Sequence, residues 1–400
     1  MSERLYYNNQ YIKEFTANII ELAEDNGVYK VVLDKTAFFP GGGGQCCDKG
    51  YIDECEVIEV IEDRNKIIHV LKSKPNNNEK VVCKLDWNRR FDGMQQHLGQ
   101  HVLSGTFYLL FNINTCGIHL GEEISTVDLV GDVSYEQIRQ AEQYANNIIN
   151  EGHIVEFITT NRREAKSMGL RRDLATRDET IRIVKIHDLD INACCGVHPS
   201  NTRELQLIKI KKSEKHKGNT RIEFLAGNRA VNDYLKRDVI LDSLINYLSS
   251  GDTEIINTVK NMNMEIKALK DENSKLKAIL SEYEVKELLE DAIFEDEKYI
   301  ISKIFEASDM RYITRLANKL TEEKNRIVLF ANRDIGKGNL LFACSKNLKE
   351  FNMGDLLKDS ITLIDGKGGG SKELAQGGGK NVANMENAIE YSIRKVRGTR

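Results

Sequence analysis

Four hundred residues, 40% hydrophobic and 30% charged, describe an ordinary soluble chain of roughly two to four domains, able to bury a core without disulfide staples. The formal net charge of −4 argues against a protein coated with nucleic acid, though not against a local basic face. The polar start Met1–Glu14 lacks the apolar centre of a signal peptide, and no apolar run is long enough to span a bilayer. A cytoplasmic chain is therefore expected, with its eight cysteines free or metal-bound.

Residues 1–88 read as a β-rich domain. Val28–Leu33, Cys55–Ile61 and Lys80–Leu85 are short runs rich in Val and Ile, bounded by polar or Gly turns. Between them lies TAFFPGGGGQ, Thr36 to Gln45. Gly41, Gly42, Gly43 and Gly44 predict a loop whose bare backbone can approach a ligand closely, anchored by Phe38, Phe39 and Pro40.

Residues 89–230 read as an α+β domain. A proline-free helix is expected to start near Arg90 and a second over Tyr135–Asn150. Strands are expected at Ile154–Thr159, Thr180–Ile186, Leu205–Ile210 and Arg221–Leu225, giving helices laid on a mostly antiparallel sheet. One basic candidate surface runs through Lys209, Lys211, Lys212, Lys215, Lys217 and Arg221.

Residues 231–298 read as helical. Ile255, Val259, Met262, Ile266, Leu269, Asn273, Leu276, Leu280 and Tyr283 alternate in steps of four and three, the a and d positions of a coiled-coil-like segment. The seam could pair two chains, fold back on Asn232–Leu248, or lie on a domain as a plain amphipathic helix. Residues 299–400 read as an α/β domain. It has strands at Arg326–Asn332 and Asn339–Ser345, glycine-rich loops over Gly366–Lys380, and a helix with the basic end Arg394, Lys395, Arg397 and Arg400.

His97 and His101 stand four apart on the first expected helix, so their rings share a face and can share an ion. Cys194 and His198 also stand four apart. Three imidazoles and a thiolate suit tetrahedral zinc. Each half alone is weak; His69, His119, His153, His187 and His216, and Cys46, Cys47, Cys55, Cys83 and Cys344, are scattered without such spacing.

The surroundings of both pairs add to this. MQQHLGQHVLS (Met94–Ser104) and NACCGVHPSNT (Asn192–Thr202) resemble the two zinc-ligand motifs of the alanyl-tRNA editing domain. DWNRRFD (Asp86–Asp92) and the FFPGGGGQ loop match as well, and RIEFLAGNRAV (Arg221–Val231) resembles the end of that domain. GGGSKELAQGGG (Gly368–Gly379) resembles the DHH-associated domain that follows it in alanyl-tRNA synthetases. The resemblance covers nearly the whole chain, in order, and points to the long form of the free-standing AlaX editing proteins.

The resemblance implies an α+β fold. In chain order it has an N-terminal β-rich domain, a zinc-containing editing domain, a helical segment and a C-terminal domain. It also implies zinc held by His97, His101, Cys194 and His198, with Cys194 rather than Cys195 in the ligand place. The implied activity is trans-editing, hydrolysis of the aminoacyl ester of tRNA(Ala) mischarged with Ser or Gly. His97, His101 and Gln45 would serve the chemistry, and Gly41–Gly44 would face the substrate. A homodimer through residues 255–283 and the C-terminal domain is a further expectation, as is the absence of a membrane partner.

A zinc peptidase is disfavoured, because no Glu stands between His97 and His101, where Leu98, Gly99 and Gln100 lie. A complete synthetase is disfavoured, since nothing upstream of the β-rich region is long enough to activate an amino acid and neither Gly-rich stretch matches GxxxxGKS. The alternative that stays open is a non-catalytic, zinc-stabilised tRNA-binding protein.

Overall fold

The structure is a computed structural model that describes residues 2–76, 79–174 and 178–398; Arg400 of the basic tail lies outside them. The fold is mixed α+β and divides into two compact units, Met1–Tyr247 and Leu248–Arg400.

The first unit opens with a closed barrel. Its strands run Glu14–Asp25, Val28–Leu33, Lys66–Leu71, Cys55–Asp63, Gly50–Ile52, Lys80–Leu85 and back to the first, every neighbour antiparallel. The inward set follows the strand period of two: in Lys80–Leu85, Val81, Cys83 and Leu85 are buried while their neighbours face out. Two-residue hairpin turns at Asn26–Gly27 and Arg64–Asn65 take positive φ at both positions, the geometry that matches strand twist. The barrel strand ends at Leu33, Lys35–Thr36 pairs with Glu3–Arg4 outside the barrel, and Phe38 and Phe39 in the barrel's core anchor the base of the glycine loop.

Helix Trp87–Phe111 follows. Asp86 caps its start by accepting from the Arg89 N–H, and Asn112 ends it in the left-handed conformation. Its middle, Met94 to Phe107, is buried throughout, because it contributes to the barrel's core through Met94 and to a second core through Leu98, Val102 and Phe107. The second core is covered by the four-stranded sheet Ile208–His216, Asn219–Ala226, Ser125–Leu129, Thr115–Leu120 and by helix Tyr135–Glu151. A Ser134–Gln137 capping box starts that helix and Gly152 stops it. A three-stranded antiparallel sheet, Val155–Asn161, Thr180–Ile186 and Asp190–Ala193, completes the unit.

Two expectations of element boundaries change here. Thr202–Leu205 forms a 3-10 turn capped by the Asn201 side chain, and the strand expected from Leu205 starts only at Ile208. The helical stretch from 231 breaks at Ser249, with φ 48°, leaving Asn228–Leu248 and Ile255–Glu290.

The second unit is helix Ile255–Glu290 and a six-stranded sheet in the order Ile293–Glu295, Lys298–Glu306, Arg326–Asp334, Lys337–Cys344, Leu374–Gly379, Lys367–Gly370. One pair is parallel, Lys298–Glu306 with Arg326–Asp334, and helix Met310–Thr321 makes the crossover between them. Leu316, Ala317 and Leu320 of that helix cover one face; helices Met353–Ile361 and Met385–Arg397 cover the other. Gly366–Lys380, expected as loops, pairs as two antiparallel strands at the sheet edge. The cause is helix Met353–Ile361 lying directly on the backbone: a Cβ at Gly377 would stand 2.2 Å from Ile361 Cδ1.

Candidate metal centre

Helix Trp87–Phe111 supplies His97 and His101 one turn apart, their rings stacked at 5.3 Å between centroids. Strand Asp190–Ala193 ends at Cys194, and the short loop after it returns His198 to the same spot. The ligand atoms of His97, His101, Cys194 and His198 lie within 4.8 Å of one another, and all three rings are buried. Cys194 Sγ is 3.4 Å from His97 Nε2 and 3.6 Å from His198 Nε2.

Each imidazole of the helix is oriented from behind. His97 Nδ1–H donates to Gln45 Oε1 at 3.1 Å, and His101 Nδ1–H donates to Asp190 Oδ2 at 2.7 Å. Both rings therefore turn Nε2 toward the cluster. Asp190 is itself held: Arg171 Nε and Asn192 Nδ2 both donate to its Oδ1 at 2.6 Å. Gln45 Oε1 also accepts from the Val197 N–H at 3.0 Å, and the residue is 5% exposed. Its side-chain carbonyl thus faces His97 and the loop after Cys194.

Burial opposes charge on His101 and on Asp190, but their mutual hydrogen bond prevails. The imidazole is pushed up to about 9 and the carboxyl is held below its ordinary range. Burial would raise the Cys194 thiol, yet His97 and His198 beside it hold it well below its ordinary value, favouring the thiolate. Burial, with His97 as neighbour, pushes His198 down to about 3, a neutral ring able to ligate. His101 Nε2 is buried without a hydrogen-bond partner, which an ion would supply. Three imidazole nitrogens and one thiolate fit zinc.

The glycine loop lies over this cluster. Gly42 and Gln45 exchange backbone hydrogen bonds at 3.0 Å, closing a tight turn. Gly43 has φ 61°, and a Cβ there would meet His97 Cε1 at 3.2 Å and Cys195 Sγ at 3.6 Å. Gly196 on the opposing loop is tighter, with 2.2 Å to His97 Cε1. The loop is clamped at its base, where the buried Arg90 guanidinium pairs with Asp48, Nε at 2.9 Å from both carboxylate oxygens, and Asp48 accepts from the Phe39 N–H at 2.6 Å. Cys195 stays outside the cluster; its thiol is raised, by burial and by Cys194 beside it.

Sequence spacing brought out the four clustered residues and the glycine loop. It missed the roles of Asp190, Asn192 and Arg182, which reach the site through strand packing, and of Arg171, which reaches Asp190 from a loop. An acidic residue four before the ligand cysteine was the available signal. The run from Lys209 to Arg221 is largely charge-compensated. Lys209 pairs with Glu142, Lys211 with Asp233, Lys212 with Glu214, Lys215 with Asp132 and Arg221 with Asp128. It offers little net positive field.

Comparison with known proteins adds to the geometry. Residues 181–223 match the threonyl and alanyl tRNA synthetase second additional domain, and residues 296–398 match the DHHA1 domain. Alanyl-tRNA editing protein AlaX-L of Pyrococcus horikoshii is 31% identical over 409 residues, covering 99% of each chain. Alanyl-tRNA editing protein Aarsd1-B of Xenopus laevis is 32% identical over 377 residues, 92% of this chain and 88% of that one. An alanine–tRNA ligase of Methanobrevibacter smithii is 28% identical over 98% of this chain but only 45% of its own length. Matched end to end with a relative above 30% identity, and carrying the paired ligand motifs in one buried cluster, this chain belongs to the family of alanyl-tRNA editing proteins.

Proposed function

We propose that the protein is a trans-editing hydrolase that deacylates tRNA(Ala) mischarged with serine, and with glycine, at a zinc centre of His97, His101, Cys194 and His198. The observation that carries the reading is the convergence of those four ligand atoms in a chain matched end to end by an alanyl-tRNA editing protein. Bound there, zinc would polarise an ester carbonyl or acidify a water.

The chain's own residues do the rest. His97 and His101 present Nε2 because Gln45 and Asp190 occupy their other nitrogens, so Gln45 acts through His97 as a positioning residue. Gly43 brings bare backbone against His97, and loop N–H groups outside the Gly42–Gln45 turn can donate to an oxygen that gains negative charge as the ester is attacked. A pocket that hydrogen-bonds the serine hydroxyl would reject alanine, which leaves those partners unpaired.

The second unit is proposed to bind tRNA and to pair chains. Lys367, Lys372 and Lys380 flank the glycine hairpin, which lets a phosphate backbone come close. Val259, Met262, Ile266, Leu269, Leu276, Leu280 and Tyr283 are 40–69% exposed along the seam, the pattern of a helix that pairs with a copy of itself. Four domains, over 1–88, 89–230, 231–298 and 299–400, and a cytoplasmic location belong to the same reading. Among the described residues no helix is long and apolar enough to cross a membrane.

The test is direct. The purified chain, incubated with Ser-tRNA(Ala), should release serine and spare Ala-tRNA(Ala), and should contain one zinc per chain by metal analysis. His101→Ala should abolish the release while keeping most tRNA affinity, which phosphate contacts elsewhere provide. A chain that binds the tRNA and releases no serine is a zinc-stabilised binding protein instead.

A further inference from the structure

Arg182 is a guanidinium in an unusual position. It lies on strand Thr180–Ile186, paired with the strand that leads to Cys194. Its carbon centre sits 4.7 Å from the Tyr7 ring centroid and 4.8 Å from that of Phe157, a cation held between two aromatic faces. Phe157 in turn stacks against His198, with centroids 6.2 Å apart. Arg182 Nη1 donates to Cys194 O at 3.0 Å and to Gly196 O at 2.7 Å, while Tyr7 Oη–H donates to Cys195 O at 2.7 Å. Three successive carbonyls of the ligand loop are thereby capped from one side.

What Arg182 lacks is a carboxylate; the negative charge beside it is the Cys194 thiolate, already committed to the cluster. Among the described residues no carboxylate lies within ion-pair distance of it, although the chain pairs its other interior arginines, Arg90 with Asp48 and Arg171 with Asp190. Arginines that leave water are ordinarily paired, since an uncompensated cation is costly to bury. Arginine carries five N–H donors, and the two on Nη1 are used by the carbonyls. The remaining Nε–Nη2 edge is a two-pronged fork that fits a phosphate or carboxylate. The residue is only partly buried, and that edge is not a sealed polar group. Beside it stand Tyr7 and the exposed Cys195, whose Sγ borders the glycine loop.

We propose that the Nε–Nη2 edge of Arg182 is the anion subsite of the editing pocket and grips the phosphate 5′ to the terminal adenosine of the tRNA. The assignment rests on the editing reading of the zinc cluster. The two rings and the two carbonyls fix the guanidinium before substrate arrives, so little freedom is lost on binding. A phosphate held there sets how far the aminoacyl ester reaches toward His97 and Cys194. One residue then joins the metal loop's shape to the substrate's position.

The experiment compares two small esters on the zinc-loaded full chain, 3′-O-seryl-adenosine and its 5′-phosphorylated counterpart. Wild type should favour the phosphorylated ester through KM. Arg182→Gln should reduce that preference by about ten- to a hundredfold, the range for a hydrogen bond to a charged group. Arg182→Lys, which keeps the charge and loses the fork, should fall between. The ratio of the two KM values cancels any loss common to both esters, such as a loosened ligand loop. A ratio unchanged in Arg182→Gln overturns the proposal and leaves Arg182 as a clamp on the loop alone. Calorimetric binding of 5′-AMP against adenosine gives the same comparison without hydrolysis. If wild type cleaves neither ester yet prefers AMP through Arg182, the editing reading fails and the anion subsite stands. If wild type binds AMP and adenosine equally, the subsite is wrong.

Discussion

Asp190 holds the cluster from behind His101. One oxygen receives the His101 Nδ1–H and the other receives Arg171 and Asn192, so the carboxylate cannot turn away from the imidazole. Removing it leaves His101 free to rotate or change tautomer, and a metal ligand that must first be ordered binds more weakly. Asp190→Ala should lower zinc affinity by about 10–100-fold in chelator competition. Asp190→Glu should restore part of it, and Arg171→Met should cause a smaller loss. Zinc affinity unchanged in Asp190→Ala would show that the helix alone fixes His101. The four clustered residues were legible from sequence because a helix and a short loop each place residues four apart on one side. Asp190 was not, because its approach to His101 crosses 89 residues and depends on how a strand packs against the helix. Gln45 stood out by its place after the glycines; its contacts to His97 and Val197 depend on tertiary packing that adjacency does not show.

Among the elements, regular strands such as Val28–Leu33, Lys80–Leu85 and Thr180–Ile186 were read to the residue, since β-branched runs between turns leave few alternatives. The glycine hairpin Lys367–Gly379 was not, because strand propensity is carried by side chains and here the packing of Ile361 removes them. Helix Ile255–Glu290 is the element whose sequence says more than its isolated surroundings. Its a and d side chains are exposed from Val259 to Tyr283, while Ile255 and Leu288 near its ends are buried. Placing Leu269→Glu and Leu276→Glu together in that seam should shift the chain from dimer to monomer in sedimentation, with zinc content unchanged. A wild-type monomer at micromolar concentration would remove the pairing reading. Asn273, also exposed, would sit at an a position, where a buried amide fixes register at some loss of stability.

At the scale of the molecule, the proposed reading divides chemistry and attachment between the two compact units. The His–Cys cluster, the glycine loop and Arg182 all lie within Met1–Tyr247, and the glycine hairpin and the seam within Leu248–Arg400. A chain ending at Tyr247 should keep its zinc and hydrolyse the small seryl esters. It should bind tRNA more weakly and with a flatter dependence on salt, as fewer phosphates are neutralised. Unchanged tRNA affinity would assign the second unit another task. The sheet edge at Ile208–His216 has a consequence for how such chains can assemble. It is an outermost strand, and Lys209, Lys211, Lys212 and Lys215 are set along it, each tied to an acid of its own chain. A strand arriving from another molecule would have to break those ties and crowd four ammonium groups, so this edge resists growth. The barrel offers no edge at all, being closed. Association through these two parts of the first unit's β-structure is thereby discouraged.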